Sequence, residues 1–382
     1  MSNKPNSHLR ICIIGNQAFS LLNFRGPLIS DIVEKGHEVF ALAPDYDEHT
    51  RASVHALRAE PLDYSLSRTG MNPLRDAADM LHLTFLLRRL KPDLTFAYSI
   101  KPIIYGTLAA SLSRVPRRYG LISGLGYVFI PPMGREPFRR KLLRDTVKVL
   151  YSAALSNASR AFFQNKDDIE EFLSHDLVAA DKVVLIDGTG VDLDYWTPAP
   201  PLREPVTFLL AARLLREKGV VEYVKAAKLI RKKYPQTRFI LLGSLDTNPG
   251  AISRAEIEAW ASEGIFKWPG HVQDVRTWLA RSSVYVLPSY REGVPRSTQE
   301  AMAMARPVIT TDAPGCRETV IDGVNGFLVP VGNPEALAAT MEKFVLEPDM
   351  IERMGQASRR IAEERFDVRK INRIILKEME IN

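Results

Sequence analysis

The stretch "LRICIIG" (9–15) is an unbroken apolar run closed by a glycine. A strand with one wet face alternates polar and apolar residues. A continuous run therefore fits a parallel strand covered on both faces by helices. The pattern repeats. A helical period runs through "PLISDIVEKG" to Gly36, placed where a glycine ends a helix, and "HEVFALAP" (37–44) is the next strand. "MNPLRDAADMLHLTFLLRRLKPD" (71–93), "LTFAYS", "PIIYGTLAASLSRV" and "RRYGLIS" read as helix, strand, helix and strand. "RAFFQN" (160–165), a helix over 166–175 and "KVVLIDG" (182–188) extend the series. Such alternation specifies an α/β fold with an open, doubly wound sheet.

The segment "GTGVDLDYWTPAPPLREP" (188–205) is rich in proline and lacks any period, so it reads as a linker. From Val206 a second series begins, with strands "VTFLLAARL", "RFILLGS", "IFKWPG", "SVYVLPS", "RPVITTD" and "GFLVP". Helices are expected between them at 219–234, 253–263, 273–281, 297–305 and 315–322, with more from about Asn333 onward. The 382 residues exceed one domain of ~150. The expected organisation is a Rossmann-like lobe over 1–195, a linker over 196–205 and a second Rossmann-like lobe over 206–362. A terminal segment, 363–382, packs back on the first lobe. Two such lobes face a cleft, where ligands of these folds bind.

Hydrophobic residues make up 46% and charged residues 25%, the balance of a soluble protein with a full core. Cys12 and Cys316 are the only cysteines and lie far apart, which fits a reducing compartment rather than a disulfide framework. The first residues are polar and no apolar run approaches the ~18 needed to cross a bilayer. A cytoplasmic chain, free or peripheral to the membrane, is expected.

The net charge is +6, from 51 basic and 45 acidic residues. Its distribution is uneven. Between Lys101 and Lys148 ten Lys/Arg face only Glu136 and Asp145, giving 10 − 2 = +8. Within it, "REPFRRKLLRDTVKVLYSAAL" (135–155) reads as an amphipathic helix. Phe138, Leu142, Leu143, Val147 and Leu150 follow helical spacing, and Arg139, Arg140, Arg144 and Lys148 fall largely elsewhere. Such a helix docks on a core with a wet basic face, or lies on an anionic bilayer at ~1 kcal/mol per basic residue. Nucleic acid is not an expected partner, because no stacking-aromatic motif or recognition helix accompanies the charge.

The turn "GNQAFSLLNFRGP" (15–27) is long and lacks the G-x-G-x-x-G fingerprint. Only Gly15 is placed to let a donor approach, and no isolated acid ends the second strand. A dehydrogenase is thereby disfavoured. Asp45 and Asp47 form an Asp-x-Asp pair beyond that strand. Such a pair holds a metal in some sugar transferases, but a solvated loop accounts for it here. In the second lobe, Arg213 and Lys218 of "AARLLREKG" follow a strand directly, where a planar fork and a point charge suit a diphosphate. Gly243 closes the next strand of that lobe and lets backbone approach a ligand. In "REGVPRSTQEAMA" (291–303), Glu292 and Glu300 bracket a helix start. Dipole complementarity needs one acid there; the second suits ligand hydroxyls.

These motifs, with "RPVITTDAPGCRETVIDGVNGFLVP" and "GTGVDLDYW", resemble the GT-B glycosyltransferases of family 4 over nearly the whole second lobe. The resemblance implies a retaining, metal-independent transferase that takes a nucleotide sugar and has no cofactor. Carried over, Arg213 and Lys218 bind the donor diphosphate and Glu300 holds ribose hydroxyls. Glu292, with the Gly293 and Val294 amides, takes the transferred sugar. His271 and Val272 are candidates for the base, with a simple turn histidine equally open for His271. "YSIKPIIYGTLAA" (98–110) and "LISGLGYVF" (121–129) resemble a narrower subgroup that extends sugars on polyprenyl diphosphate carriers. That implies an acceptor loop at Gly124, Leu125 and Gly126, and Lys101 either on an acceptor phosphate or as a surface lysine before Pro102. It also points to a uridine over a guanosine nucleotide, and to work at the inner face of the cytoplasmic membrane. Departures matter too: no His occurs between His82 and His175 where many relatives carry one. A two-lobed NDP-sugar epimerase and a non-catalytic sugar-nucleotide binder are the competing readings.

Overall fold

The computed structural model describes residues 8–67, 72–126, 129, 137–246, 248 and 250–381. The chain forms two compact units, one comprising the residues up to Ile186 together with Arg369 onward, the other Asp187–Val368. The division falls at the end of a strand rather than inside the proline-rich stretch, because Gln299 of the second unit holds that stretch's start. Its side chain accepts from the Gly190 amide at 3.0 Å.

The first unit is built on β1 (Arg10–Ile14), β2 (Glu38–Ala43), β3 (Glu60–Asp63), β4 (Leu94–Tyr98), β5 (Arg117–Ile122), β6 (Arg160–Phe163) and β7 (Val183–Leu185). They pair in parallel in the order β3-β2-β1-β4-β5-β6-β7. Ile11, Cys12, Ile13 and Ile14 are fully buried, as a strand covered on both faces requires. Ile371 and Ile375 of the terminal helix (Val368–Glu378), with Met379 just beyond it, join the cluster containing Ile11 and Ile13. The Asn372 amide donates to Asp31 at 2.7 Å and holds that helix in place.

Three local expectations change. No long turn follows β1, because a helix spans Ala18–Glu34 with Pro27 inside it. Burial of Leu21, Leu28, Ile29 and Ile32 along one face outweighs the hydrogen bond that proline removes. "PIIYGTLAASLSRV" is a π turn over Pro102–Gly106 followed by a short helix, Thr107–Leu112. The helix expected at 315–322 is a single turn, Arg317–Thr319.

The second unit is built on β8 (Thr207–Ala211), β9 (Arg238–Leu242), β10 (Lys267–Gly270), β11 (Val284–Leu287), β12 (Val308–Thr311) and β13 (Gly326–Val329). All are parallel, in the order β10-β9-β8-β11-β12-β13. Arg306, in the connection from the helix Arg296–Ala303 to β12, is completely buried. It donates to the carbonyls of Leu279 (2.7 Å), Ala199 (2.8 Å) and Met304 (3.1 Å). One cation thus ties the proline-rich stretch to two helix ends, whose last carbonyls lack partners within their own helices. Arg306→Met keeps the apolar stem and orphans those carbonyls. It should destabilise the second unit by roughly 3 kcal/mol or more, read as a lower denaturation midpoint with an unchanged slope.

Candidate active site

β8 and β11 are neighbours whose chains leave in opposite directions across the sheet, so the loops at their carboxyl ends part at a topological switch point. The loop after β8 ends in a single turn, Arg216–Lys218, and at Gly219, whose φ is 73°. A Cβ at Gly219 would lie 2.0 Å from the Pro288 carbonyl oxygen, so only glycine lets this turn seat against the loop after β11. The Tyr290 amide and the Ser289 hydroxyl both donate to the Glu217 carbonyl at 2.9 Å. This docking brings Lys218 Nζ to 2.5 Å from Glu292 Oε1, which also accepts from Ser289 Oγ at 2.8 Å. The two side chains are 18% and 14% exposed, reachable from solvent yet largely withdrawn from it. The loop after β12 forms a further wall. Gly315 has φ 74°, a Cβ there would meet the Gly293 and Glu292 carbonyl oxygens, and the Glu292 amide donates to Pro314 at 3.0 Å.

Arg213 leaves the same loop half exposed, with Nη1 3.1 Å from the largely withdrawn Asp246 carboxylate. Gly243 backs onto the Ala212 carbonyl with no room for a Cβ, its amide donates to Gly270 at 2.9 Å, and its carbonyl accepts from the Trp268 indole at 3.1 Å. His271 is exposed just beyond β10, and Val272 packs half-buried on the core. In the helix Arg296–Ala303, Glu300 Oε1 accepts from Arg296 Nε at 2.9 Å. Burial pushes the Glu300 carboxyl above its ordinary pKa, and Arg296 only partly offsets that. Beneath them the fully buried Tyr285 donates to the Ala211 carbonyl at 2.9 Å. The Lys218–Glu292 contact was not visible in the sequence, where the two lie 74 positions apart. Ser289, Asp246 and Arg296 were missed too. Ser289 lies two residues before the motif and Arg296 lies inside it, so these were the findable ones.

In the first unit the switch point lies between β1 and β4. Gly15 follows β1 with both backbone groups paired, to Leu42 at 2.9 Å and to the Tyr64 hydroxyl at 2.7 Å. A Cβ there would strike the Tyr98 hydroxyl, so packing explains this glycine. Asp45 accepts from the Ala18 amide at 2.7 Å, and Asp47 caps the helix Glu48–Ala56, so both acids serve helix starts. Ser99, directly after β4, has φ 73°, a strained value for a serine, and its hydroxyl reaches Asn16 at 3.4 Å. Lys101 is not a free surface lysine. Its ammonium lies 2.8 Å from Asp76, which is 1% exposed and also accepts from the Tyr105 hydroxyl at 3.1 Å. Asp76, Tyr105 and Ser99 were unmarked in the sequence. Gly124 and Gly126 have φ 111° and 70° around a fully buried Leu125; Tyr127 and Val128 of that motif lie outside the described residues.

The basic helix spans Phe138–Ser156, and 135–136 lie outside the described residues. Its inner face is Val147, Tyr151, Ala154 and Leu155, whereas Phe138, Leu142 and Val149 are 78%, 56% and 69% exposed. The expected stripe is therefore divided, with Val147 inside and Phe138 and Leu142 outside. Lys148 turns inward to Glu171 at 3.1 Å. Among the described residues no helix is long and apolar enough to cross a membrane, and no three His, Cys, Asp or Glu side chains cluster as metal ligands.

Each unit is a parallel α/β sheet with its own switch point, the fold of the GT-B enzymes among its structural neighbours. Residues 205–346 match the family model described as glycosyl transferases group 1. The chain is 27% identical over 344 residues to a Campylobacter jejuni enzyme, N,N'-diacetylbacillosaminyl-diphospho-undecaprenol alpha-1,3-N-acetylgalactosaminyltransferase, covering 86% of this chain and 88% of that one. It is 24% identical to an Escherichia coli UDP-Gal:alpha-D-GlcNAc-diphosphoundecaprenol alpha-1,3-galactosyltransferase, covering 80% and 82%. In fold it is similar to Anabaena HepE, solved in complex with UDP and glucose, at a TM-score of 0.76 and 17% identity over 98% and 100% of the two chains.

The raised Glu300 pKa has a sign. The fold favours the protonated form, so the ionised side chain opposes stability, and this cost fades as pH falls through the raised value. Glu300→Gln, always neutral, should melt at or above the wild-type temperature near pH ~7, with the advantage shrinking toward about pH 4. Melting curves of both proteins across that range read it directly; a variant less stable at neutral pH would contradict the assignment.

Proposed function

We propose that this chain transfers a hexose or N-acetylhexosamine from a nucleotide sugar, UDP-linked on this reading, to a polyprenyl-diphosphate-linked sugar, with retention and without a resident metal. The observation that carries the proposal is the Lys218–Glu292 pair at the switch point of the second unit. The names of the Campylobacter and Escherichia relatives support the acceptor class, and the second also supports the nucleotide.

In this proposal Lys218 exchanges partners. The incoming diphosphate takes the ammonium, which frees Glu292 Oε1 for a sugar hydroxyl while Ser289 keeps the carboxylate oriented. Arg213 adds a second cation to the diphosphate, and Glu300 holds the ribose. Gly243 lets backbone approach the donor, the amides of Gly293 and Val294 meet the sugar, and His271 and Val272 flank the base. The bond from the anomeric carbon to the phosphate oxygen breaks with its electron pair on the diphosphate. The acceptor oxygen bonds to that carbon from the same face, and its proton passes to the departing phosphate oxygen. Fixed charges around a developing anion are the largest catalytic contribution in most such sites. In the first unit the loop Gly124–Leu125–Gly126 meets the acceptor, and Lys101, oriented by Asp76 and Tyr105, attracts its phosphates.

Transfer of labelled sugar from a panel of nucleotide sugars to a polyprenyl-diphosphate sugar tests the reading. Lys218→Ala should lower turnover by about 10²–10³-fold with the fold intact, and EDTA should leave the rate within about twofold. Donor conversion without any acceptor would instead mark an epimerase.

The same reading places the enzyme at an anionic membrane surface through the helix Phe138–Ser156. Exposed Phe138, Leu142 and Val149 beside Arg139 and Lys141 support it. In flotation with phosphatidylglycerol vesicles, Phe138→Ser/Leu142→Ser should lower the bound fraction severalfold and leave melting unchanged. Equal flotation on neutral vesicles would remove the electrostatic part of the argument.

A further inference from the structure

The first residues of β8, β9 and β10 are Thr207, Arg238 and Lys267, at the sheet edge opposite to the loops that carry Arg213, Lys218 and Glu292. A cavity of about 810 Å³ opens at this edge. Arg231, Arg238, Lys267 and Arg281 line it, and no Asp or Glu does. Arg231 donates to the backbone carbonyls of Gly264 and Ile265. Lys267 places its ammonium 5.2 Å from the centre of the Trp278 ring. Among the described residues, the side chains of Arg238 and Arg281 have no hydrogen bond, ion pair or ring contact, so no carboxylate balances these cations.

Helix ends explain part of this charge. Arg231 lies in the last turn of the helix Val220–Lys233, and Arg281 caps the helix Arg276–Ala280, where cations complement the dipole. That account does not reach Arg238 or Lys267, which open strands. Four cations around one hollow repel each other, and the arrangement becomes favourable when an anion enters. Phe239, Phe266 and Trp278 give the same hollow an apolar side.

We propose that this cavity is a second anion site, separate from the donor loops, for a phosphate-bearing ligand whose apolar or aromatic part lies against Trp278. A soluble phosphate ester and a phospholipid headgroup share this chemistry. The site stands on its own geometry and does not depend on the donor assignment.

Equilibrium dialysis of the full chain against labelled pyrophosphate counts the sites, and two are expected. Arg238→Glu/Arg281→Glu should weaken one by about tenfold or more and keep sugar transfer within about twofold, while Lys218→Ala should weaken the other. A single site untouched by the double variant overturns the proposal and leaves the donor reading in place. A single site lost in the double variant and kept in Lys218→Ala upholds the cavity and counts against the donor reading. Arg238→Gln/Arg281→Gln, which removes charge without reversing it, decides if the glutamate variant fails to fold: pyrophosphate binding as in wild type would overturn the site. Phosphatidylglycerol vesicles identify the source. Flotation lost in the double variant assigns the site to a headgroup, and unchanged flotation with weakened pyrophosphate binding assigns it to a soluble ester.

Discussion

The second unit depends on one close approach, that of Gly219 to the Pro288 carbonyl. Two loops from neighbouring strands can share a site only if their backbones meet, and a single Cβ at this point would hold them apart. With glycine in place, the Glu217 carbonyl accepts from Tyr290 and Ser289, and the turn is locked. The backbone at Lys218 is then fixed, and its ammonium reaches Glu292 from a set position. Gly315 repeats the device from β12, against the Glu292 and Gly293 carbonyls. The chemistry-bearing side chains are thus placed by close approaches of backbone.

Much of the fold was legible because both units are parallel sheets. Strands buried on both faces leave runs such as "CIIG" and "VYVL" that little else produces, and the helices between them keep their period. What stayed hidden depended on tertiary balance. Pro27 looks like a helix stop, yet the buried face of Leu21, Leu28 and Ile29 carries the helix through it. Conversely, "CRETV" has the composition of a helix and makes one turn. In the site, the motif residues and their strand ends were readable, since spacing along one strand–loop–helix unit survives in sequence. Their partners were not. Asp76 sits 25 residues from Lys101 and Asp246 sits 33 from Arg213, and nothing local marks either. Arg306 looked like an ordinary basic residue before a proline, and only its burial reveals six carbonyl contacts.

The two units handle charge differently. In the first, the acids near the β1–β4 switch are already engaged: Asp45 on a helix start, Asp76 on Lys101 and Tyr105. A buried pair of that kind gains little stability over an apolar pair, and its return lies in fixing where a cation stands. In the second, Arg213 remains half exposed against Asp246, and Lys218 and Glu292 keep a share of their surface open. Of these, the Arg213 pair is the one open to solvent, where an ion pair is weakened by screening.

That difference bears on how a transferase could avoid binding its product too tightly. A lysine held without a counter-ion would bind a diphosphate strongly both before and after transfer. Uniform binding of that kind does not accelerate the chemical step. A lysine that must leave Glu292 gives up part of the attraction when the donor binds. It recovers that part only as negative charge grows on the departing diphosphate. On the proposed reading, the freed carboxylate meanwhile gains a hydroxyl donor on the sugar. Glu300 fits the same scheme from the other side, since its ionised form is held at a cost that hydroxyl donors from a ribose would reduce. On the proposed reading the glutamates bracketing the helix start are complementary to a ligand rather than to the helix: one would serve as an exchangeable counter-ion and the other as a charge held at a cost.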